Sequence, residues 1–372
     1  MKNIKKKLQN IFKNFFYKIF SLFHGKIIGK INAEKDSRIK IEKIKKGNLE
    51  YKIFLVEDGR LYTDRVHDTA IMIDDYIIEG PSHQLRPVNN TNVEENIVFK
   101  KGTPRIKKKL DGNVLSLLTG GAGNDNYFHW LFDVLPRIAL CEKIININEI
   151  NHYLLPNNEK KFQKETLDLL DIPEAKRVSS KEFRHIKSNK LFVTEHPYVV
   201  TNNASDDIQN IPIWISQWLK KKYEKIKLTQ DDKFPKKIYI DRSESTSNVK
   251  DLRLIINETE VKNFLDSCGF QSLVLGNFHF KDQIKIFKNA DVIVGLHGAG
   301  FSNLCFCNPE TKVIEIKNTT DGKMYENLAI SNKLIYKSIN CEATKYKMAQ
   351  FGHINVSINK LKEIVENINQ IK

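Results

Sequence analysis

No apolar stretch in these 372 residues approaches the roughly 18 to 20 needed to span a bilayer, so a membrane-crossing helix is not expected. Cysteine is sparse: Cys141, Cys268, Cys305, Cys307 and Cys341 form an odd set with no CxxC pair and no histidine spacing typical of a zinc site. That pattern argues against a disulfide framework and a structural metal, and it fits a reducing cytoplasm. Cys305 and Cys307 are expected to be buried packing residues. The start lacks the layout of a secretory signal, because its lysines and apolar residues are interleaved instead of divided into a charged head and a continuous hydrophobic run. No fibrous repeat is present, and 41% hydrophobic with 28% charged residues excludes wholesale disorder.

What the chain has in excess is positive charge. Lysine and arginine number 60 against 45 acids, a net +15. Taken alone, this balance would suggest nucleic acid. The distribution argues otherwise: residues 1 to 30 hold eight lysines and no acid, about half of the excess, and the rest is spread thinly. In that segment Ile4, Leu8, Ile11, Phe12, Phe15, Ile19, Leu22 and Phe23 recur every three or four residues, which predicts an amphipathic helix. Such a helix suits an anionic membrane surface, the competing expectation being a helix docked on the protein's own core. Five phenylalanines among eight lysines favour the membrane surface. No nucleic-acid partner is expected.

The length predicts two domains. After the helix of residues 1–30, residues 31–225 are expected to form an α/β lobe. Runs such as "YKIFLV", "AIMIDDYII" and "NIVF" suggest strands, and "VLSLLTGG" a strand entering a glycine turn at Gly120, Gly121 and Gly123. "DNYFHWLFDVLPRIALCEKI" then reads as a helix containing Pro136, followed by the strands "HYLLP" and "KLFVT". The charged "TQDDKFPKK" is a plausible linker. Residues 226–345 alternate strands and helices: "KIYIDRS", a helix capped at Asn257 and stopped at Gly269, "QSLVLG", "FKDQIKIFKNA", "DVIVGLHGAG" and "KVIEI". That rhythm implies a parallel, doubly wound sheet. Residues 346–372 are expected to be a helical segment.

In such a sheet ligands bind at the carboxyl ends of the strands, which singles out Arg242, the loop His297, Gly298, Ala299 and Gly300, and Glu315. Glycines let backbone amides approach a ligand, a following helix end attracts phosphate, and Arg242 can fork onto a diphosphate. A tight structural turn explains a short glycine loop equally well. An oxyanion-hole reading of "HGAG" would need a GxSxG elbow, which is absent. In the first lobe, Asn126, His129 and Asp133 share one helix face, where His129 or Asp133 is suited to take a proton from a hydroxyl. A buried His129, with Asp133 paired to Arg137, is the plain structural alternative. Tyr127, Phe128 and Trp130 either stack on a sugar or pack the lobe, packing being expected for Phe128.

Read in order, "NYFHWLFDVLPRI", "KIYIDRS", "NETEV" and "FKDQIKIFKNADVIVGLHGAGFSNLCFCNPETKVIEI" closely resemble glycosyltransferase family 61, which includes bacterial capsular-polysaccharide proteins. The resemblance covers roughly residues 115 to 320. It implies a GT-B fold, with two Rossmann-like lobes facing a cleft, inversion at the anomeric carbon, and no required metal or other cofactor. No DxD motif stands at a strand end. By the same resemblance Arg242, His297, Gly298, Ala299, Gly300, Asn303 and Glu315 match the nucleotide-sugar side, and Asn126, His129 and Asp133 the acceptor-side helix, where Trp130 is also expected to face the acceptor. The segment "DRSESTSNVKDLRLIINE" is longer than the usual join, and residues 31 to 110 match no part of the family.

The expected protein is therefore an inverting, metal-independent hexosyl- or pentosyltransferase. Its expected donor is a nucleotide-sugar and its acceptor a glycan or lipid-linked glycan of capsular or other cell-surface polysaccharide. Residues 1–30 would hold it in the cytoplasm, peripheral on the inner face of the membrane. The alternatives are a polysaccharide pyruvyl transferase using phosphoenolpyruvate, and a catalytically silent membrane-associated subunit of the capsule machinery.

Overall fold

The computed structural model describes residues 2–63, 69–82, 92–118, 126–201, 203–243, 252–343 and 352–370. They belong to two compact units, Met1–Ile208 and Gln209–Lys372. Gly120, Gly121 and Gly123, and most of the long join after Arg242, lie outside the described residues.

The first unit is built on a ten-stranded mixed sheet. Its strands are β1 (Gly29–Ile31), β2 (Ile39–Lys46), β3 (Leu49–Glu57), β4 (Arg60–Thr63), β5 (Thr69–Ile73), β6 (Tyr76–Ile78), β7 (Lys108–Ser116), β8 (His152–Leu155), β9 (Arg177–Ser179) and β10 (His185–Thr194). Strand β10 is the junction. One edge pairs in parallel with β7, which continues in parallel to β8 and then β9. The other edge pairs antiparallel, with β4 through His185–Lys187 and with β3 through Lys190–Thr194. The α/β portion is therefore β7 to β10, and the earlier residues add an antiparallel extension, so this sheet is not parallel throughout as a Rossmann-like lobe would be. Strands β2 and β3 are joined by a two-residue turn whose first residue, Gly47, takes the left-handed φ of 61° that such hairpins require. "NIVF" is not a strand: Asn96 accepts the N–H of Val98 and caps a short helix, Ile97–Lys101. Three apolar residues carry no period that separates strand from helix, and the cap decides.

The second unit holds a five-stranded parallel sheet of β11 (Lys237–Ile240), β12 (Gln271–Leu273), β13 (Val292–Leu296), β14 (Lys312–Asn318) and β15 (Ile335–Cys341), in the order β12-β11-β13-β14-β15. The order reverses between β11 and β13, the arrangement of a doubly wound fold with its switch point there. Val294, Ile314 and Ile316 are fully buried in the central strands, and Leu361, Val365 and Ile368 of the helix Ile358–Gln370 pack into the same core. The helix Glu258–Ser267 ends at Gly269, in the left-handed conformation at φ 80°, as expected. Asn257 does not cap it, because its side chain is bonded to the backbone of Val356. The helix Ile213–Lys222 belongs to this second unit.

The N-terminal helix runs from Lys2 to Phe20. Ile4, Leu8, Ile11 and Phe15 form a row on its outer side, each 60% or more exposed, while the Arg105 guanidinium lies over Phe12 and the Tyr17 ring lies against Gly102. A buried clasp fixes the turn after it. Arg60 donates to the carbonyl of His24 at 2.7 Å, to Asp75 Oδ1 at 3.0 Å and to the Asp74 carbonyl. A guanidinium only donates, so His185 Nε2, 3.2 Å away, accepts, and the His185 proton sits on Nδ1, which donates to the Arg105 carbonyl at 3.1 Å. Burial first, and the Arg60 charge second, push the His185 pKa down to about 3.

Below pH 6.5 the unfolded chain binds a proton at residue 185 that the folded chain refuses, so stability present above 6.5 is lost progressively as pH falls. The wild type should lose about 1.4 kcal/mol per pH unit in this range relative to His185→Asn, which keeps a donor for Arg105 and does not titrate. Urea unfolding from pH 7 to pH 4 checks this, and parallel curves for the two proteins would remove His185 from that role.

Candidate active site

In the first unit the site forms where the chain leaves the carboxyl ends of β7 and β10. Asn126 accepts the Phe128 N–H and starts one helical turn, Tyr127–His129. The next turn is wider. Leu135 N–H reaches back five residues to the Trp130 carbonyl at 3.1 Å, a π-turn over Trp130–Val134, before regular helix resumes at Pro136–Cys141. Pro136 has no N–H to give to the preceding turn, and an inserted residue relieves the helical ladder at that point.

The π-turn begins directly after His129 and contains Asp133, and the two side chains are in contact. His129 Nδ1 donates to Asp133 Oδ2 at 2.7 Å, with the His129 side chain 28% exposed and that of Asp133 2%. Beside them stand His196 and Tyr198, from the chain just past β10, with His196 Nε2 3.8 Å from the same Oδ2. Arg137, wholly buried, does not pair with the Asp133 carboxylate. It donates to the Asp133 backbone carbonyl at 3.0 Å and to Thr194 Oγ1 at 3.2 Å, locking the turn to the end of β10. Burial would push Asp133 up, yet His129 and then His196 hold it well below the usual carboxylate range. Burial likewise disfavours the charged form of His129, but the Asp133 charge and hydrogen bond outweigh it and raise its pKa.

This geometry corrects two expectations. Asp133 is too deeply buried to meet a hydroxyl itself, and of the pair only the His129 ring is partly exposed. Trp130 is fully buried, its indole N–H donating to Thr166 Oγ1 at 2.7 Å, and it packs the lobe instead of offering a face to a sugar.

In the second unit the switch point brings Arg242, directly after β11, to the loop after β13. Arg242 Nη1 donates to the His297 carbonyl at 2.8 Å. Burial, and then the nearby Arg253, lower its pKa without discharging a guanidinium at neutral pH. Gly298 is extended, at φ 167°, so its backbone does not require glycine. The guanidinium does: a Cβ there would lie 2.9 Å from Arg242 Nη1. Gly300 is equally close-packed, a Cβ meeting Ile240 Cγ2 at 3.0 Å. From Ala299 the chain forms a 3₁₀ helix to Phe306, whose leading N–H groups lie outside the helical ladder at the Arg242 end. His297 Nδ1 donates to Glu315 Oε1 at 2.5 Å, and Tyr336 O–H donates to the other oxygen of the same carboxylate. Glu315 is fully buried and orients His297 from behind. Asn303 is also fully buried. Its amide donates to Gln283 Oε1 at 3.0 Å, and Gln283 donates to the Leu275 carbonyl, so the pair secures the loop from beneath. Glu315 and Asn303 thus shape the site without lining it.

Among the described residues, no group of three or more His, Cys, Asp or Glu side chains is gathered as metal ligands. Reasoning from sequence missed His196, Tyr198 and Tyr336. "HPY" directly after the strand "KLFVT" was the available signal for the first two. Tyr336 had none, because it meets Glu315 only through the pairing of β14 with β15.

An arginine and a histidine at a switch point, with the leading amides of a 3₁₀ helix beside them, are chemically suited to an anion. A carboxylate-backed histidine takes protons. Comparison with known proteins gives these elements their context. The model of Glycosyltransferase 61 matches residues 127–314, and the chain belongs to glycosyltransferase family 61. It is a glycosyltransferase, an enzyme of sugar transfer. It is similar to the EGF domain-specific O-linked N-acetylglucosamine transferases of Canis lupus familiaris (32% identity over 82 residues, 21% of this chain), Gallus gallus (31% over 84, 21%) and Drosophila melanogaster (29% over 89, 23%). The match spans only 16 to 17% of the length of these relatives.

Replacing Asp133 by Asn removes the charge that raises the His129 pKa, and the His129 imidazole should then titrate at lower pH. NMR titration of its ring resonances reads this directly. An unmoved midpoint would mean that the two side chains are not coupled.

Proposed function

We propose that this enzyme is an inverting, metal-independent transferase of GT-B type. In this reading it moves a hexosyl or pentosyl unit from a nucleotide-sugar to capsular or other cell-surface polysaccharide. The observation that carries the reading is the pairing of Arg242 with the His297–Gly300 loop at the switch point of the second sheet. There, Arg242, the leading amides of the 3₁₀ helix and His297 meet the diphosphate. They stabilise the charge that grows on it as the anomeric carbon–oxygen bond breaks, a task that elsewhere falls to a metal ion. The acceptor hydroxyl attacks the anomeric carbon from the opposite face, its proton passes to His129 Nε2, and the configuration inverts. Asp133 stabilises the imidazolium that results.

Thermal unfolding with UDP, GDP, CDP, CMP, UDP-N-acetylglucosamine and phosphoenolpyruvate, EDTA present throughout, tests the donor side. The sugar named in the relatives' titles puts the N-acetylglucosamine donor in the panel. One nucleotide diphosphate should raise the midpoint, and Gly298→Ala, which displaces the Arg242 guanidinium, should weaken that ligand about tenfold or more with little change in the ligand-free midpoint. A response to phosphoenolpyruvate alone would move the assignment to pyruvyl transfer.

The apolar row on the N-terminal helix, flanked by lysines without a single acid, supports a place on the anionic inner face of the cytoplasmic membrane beside a lipid-linked acceptor. Because the His24 carbonyl belongs to the Arg60 clasp, point changes on the outer row are a cleaner probe than truncation. Ile11→Glu with Phe15→Glu should abolish sedimentation with phosphatidylserine vesicles and leave transfer to a water-soluble acceptor within about twofold. Undiminished vesicle binding would sink the membrane reading.

A further inference from the structure

The wall of the first site opposite His129 is made by a second histidine that cannot touch any substrate. His196 is buried, 3% exposed on its side chain, and lies past the end of β10. Its Nδ1 accepts the backbone N–H of Tyr198 at 3.3 Å and of Val199 at 3.1 Å. An imidazole nitrogen that accepts N–H donors carries no proton of its own, so in the neutral ring the hydrogen sits on Nε2. That Nε2–H faces Asp133 Oδ2, the oxygen already bonded to His129. The buried Tyr198 hydroxyl is a further donor toward this carboxylate, its pKa raised by burial first and then by the Asp133 charge and hydrogen bond.

We propose that His196 is a positioning residue for the His129–Asp133 pair: its Nε2, 3.8 Å from the oxygen that His129 bonds, helps hold the carboxylate in place and offsets part of its charge. The proposal deepens the assignment of His129 as the base and rests on that reading for its use. Its physical ground is the dryness of the site. A buried carboxylate facing a single imidazole binds the imidazolium so strongly that the ring keeps its proton at working pH, and a permanently protonated ring is no base. A second N–H facing the same oxygen draws off part of that attraction. The Tyr198 hydroxyl also bonds toward Asp133 and Arg137 also feels its charge, and both stay in place in the variants below. Arg137 is spent on the Asp133 and Thr194 carbonyls and the Thr194 hydroxyl, and Asp207 on the Val200 and Thr201 amides and the Thr201 hydroxyl. Cys141 is buried and held protonated by that burial, its pKa raised to about 12.

Two substitutions separate this role from simple support of the loop. In His196→Asn, Oδ1 still accepts the Tyr198 and Val199 amides but nothing faces Asp133. In His196→Gln, the longer amide returns an N–H near the position of Nε2. On the full chain, the NMR titration midpoint of His129 should rise by about half a pH unit or more in His196→Asn, carrying the acidic limb of kcat/KM upward with it. In His196→Gln it should return close to the wild-type value. A midpoint in His196→Asn that stays put or falls overturns the proposal. A midpoint that rises while the pH–rate limb stays still supports the positioning and removes His129 as the base. The unaltered protein offers an independent check that does not depend on either variant folding. Its His196 nitrogen shifts should show the Nε2–H tautomer and respond at the His129 midpoint, and the Nδ1–H tautomer would overturn the proposal.

Discussion

A partly exposed histidine backed by a fully buried carboxylate is the arrangement on which both candidate sites depend. His129 has Asp133 behind it, and His297 has Glu315. In each case the carboxylate is out of reach of solvent, so its charge is felt by the few side chains packed against it. The surrounding residues exist largely to make that burial tolerable. Asp133 is embraced by two histidines, and Glu315 by a histidine and Tyr336. A buried charge without such partners would cost several kcal/mol, and removing one partner leaves the rest exposed to that cost. The local folds follow from this need. The π-turn ahead of Pro136 leaves Asp133 facing His129, and the parallel register of β13, β14 and β15 sets His297, Glu315 and Tyr336 in sequence across three strands.

The second constraint is topological. Because the order of the parallel sheet reverses between β11 and β13, the chain leaves their carboxyl ends in diverging directions and opens a crevice there. Arg242 and the loop after His297 line it. Gly298 permits the guanidinium to lie against the loop backbone, so the glycine is explained by close approach and not by an unusual dihedral angle. The placement of Arg242 against the His297 loop is thus a consequence of strand order, before any particular ligand is considered.

How much of this was legible in sequence depended on whether a feature is local. The alternation of strands and helices after residue 236, the glycine stop at Gly269 and the strand-end positions of Arg242 and His297 all follow from short-range pattern, and each is where the pattern puts it. The His129–Asp133 pair was legible as a shared helix face. The division of labour within it was not, because burial is set by β10 and the chain after it, far away in sequence. For the same reason Trp130 looked available and is buried, Asn303 looked like a donor contact and is a strut for Gln283, and His196 went unnoticed. The antiparallel extension of the first sheet was visible only as a set of strands. Its register on β10 is long-range, and "NIVF" was lost to a single capping asparagine.

We propose a separation of tasks: Arg242 and the His297 loop hold the donor, and His129 takes the proton. The most direct measurement is donor affinity and transfer rate together, by calorimetry and by product formation, for His129→Ala. This account predicts an unchanged donor Kd with transfer reduced about a hundredfold or more. Transfer within tenfold of the wild type, or a loss of donor binding equal to the loss of transfer, would contradict it.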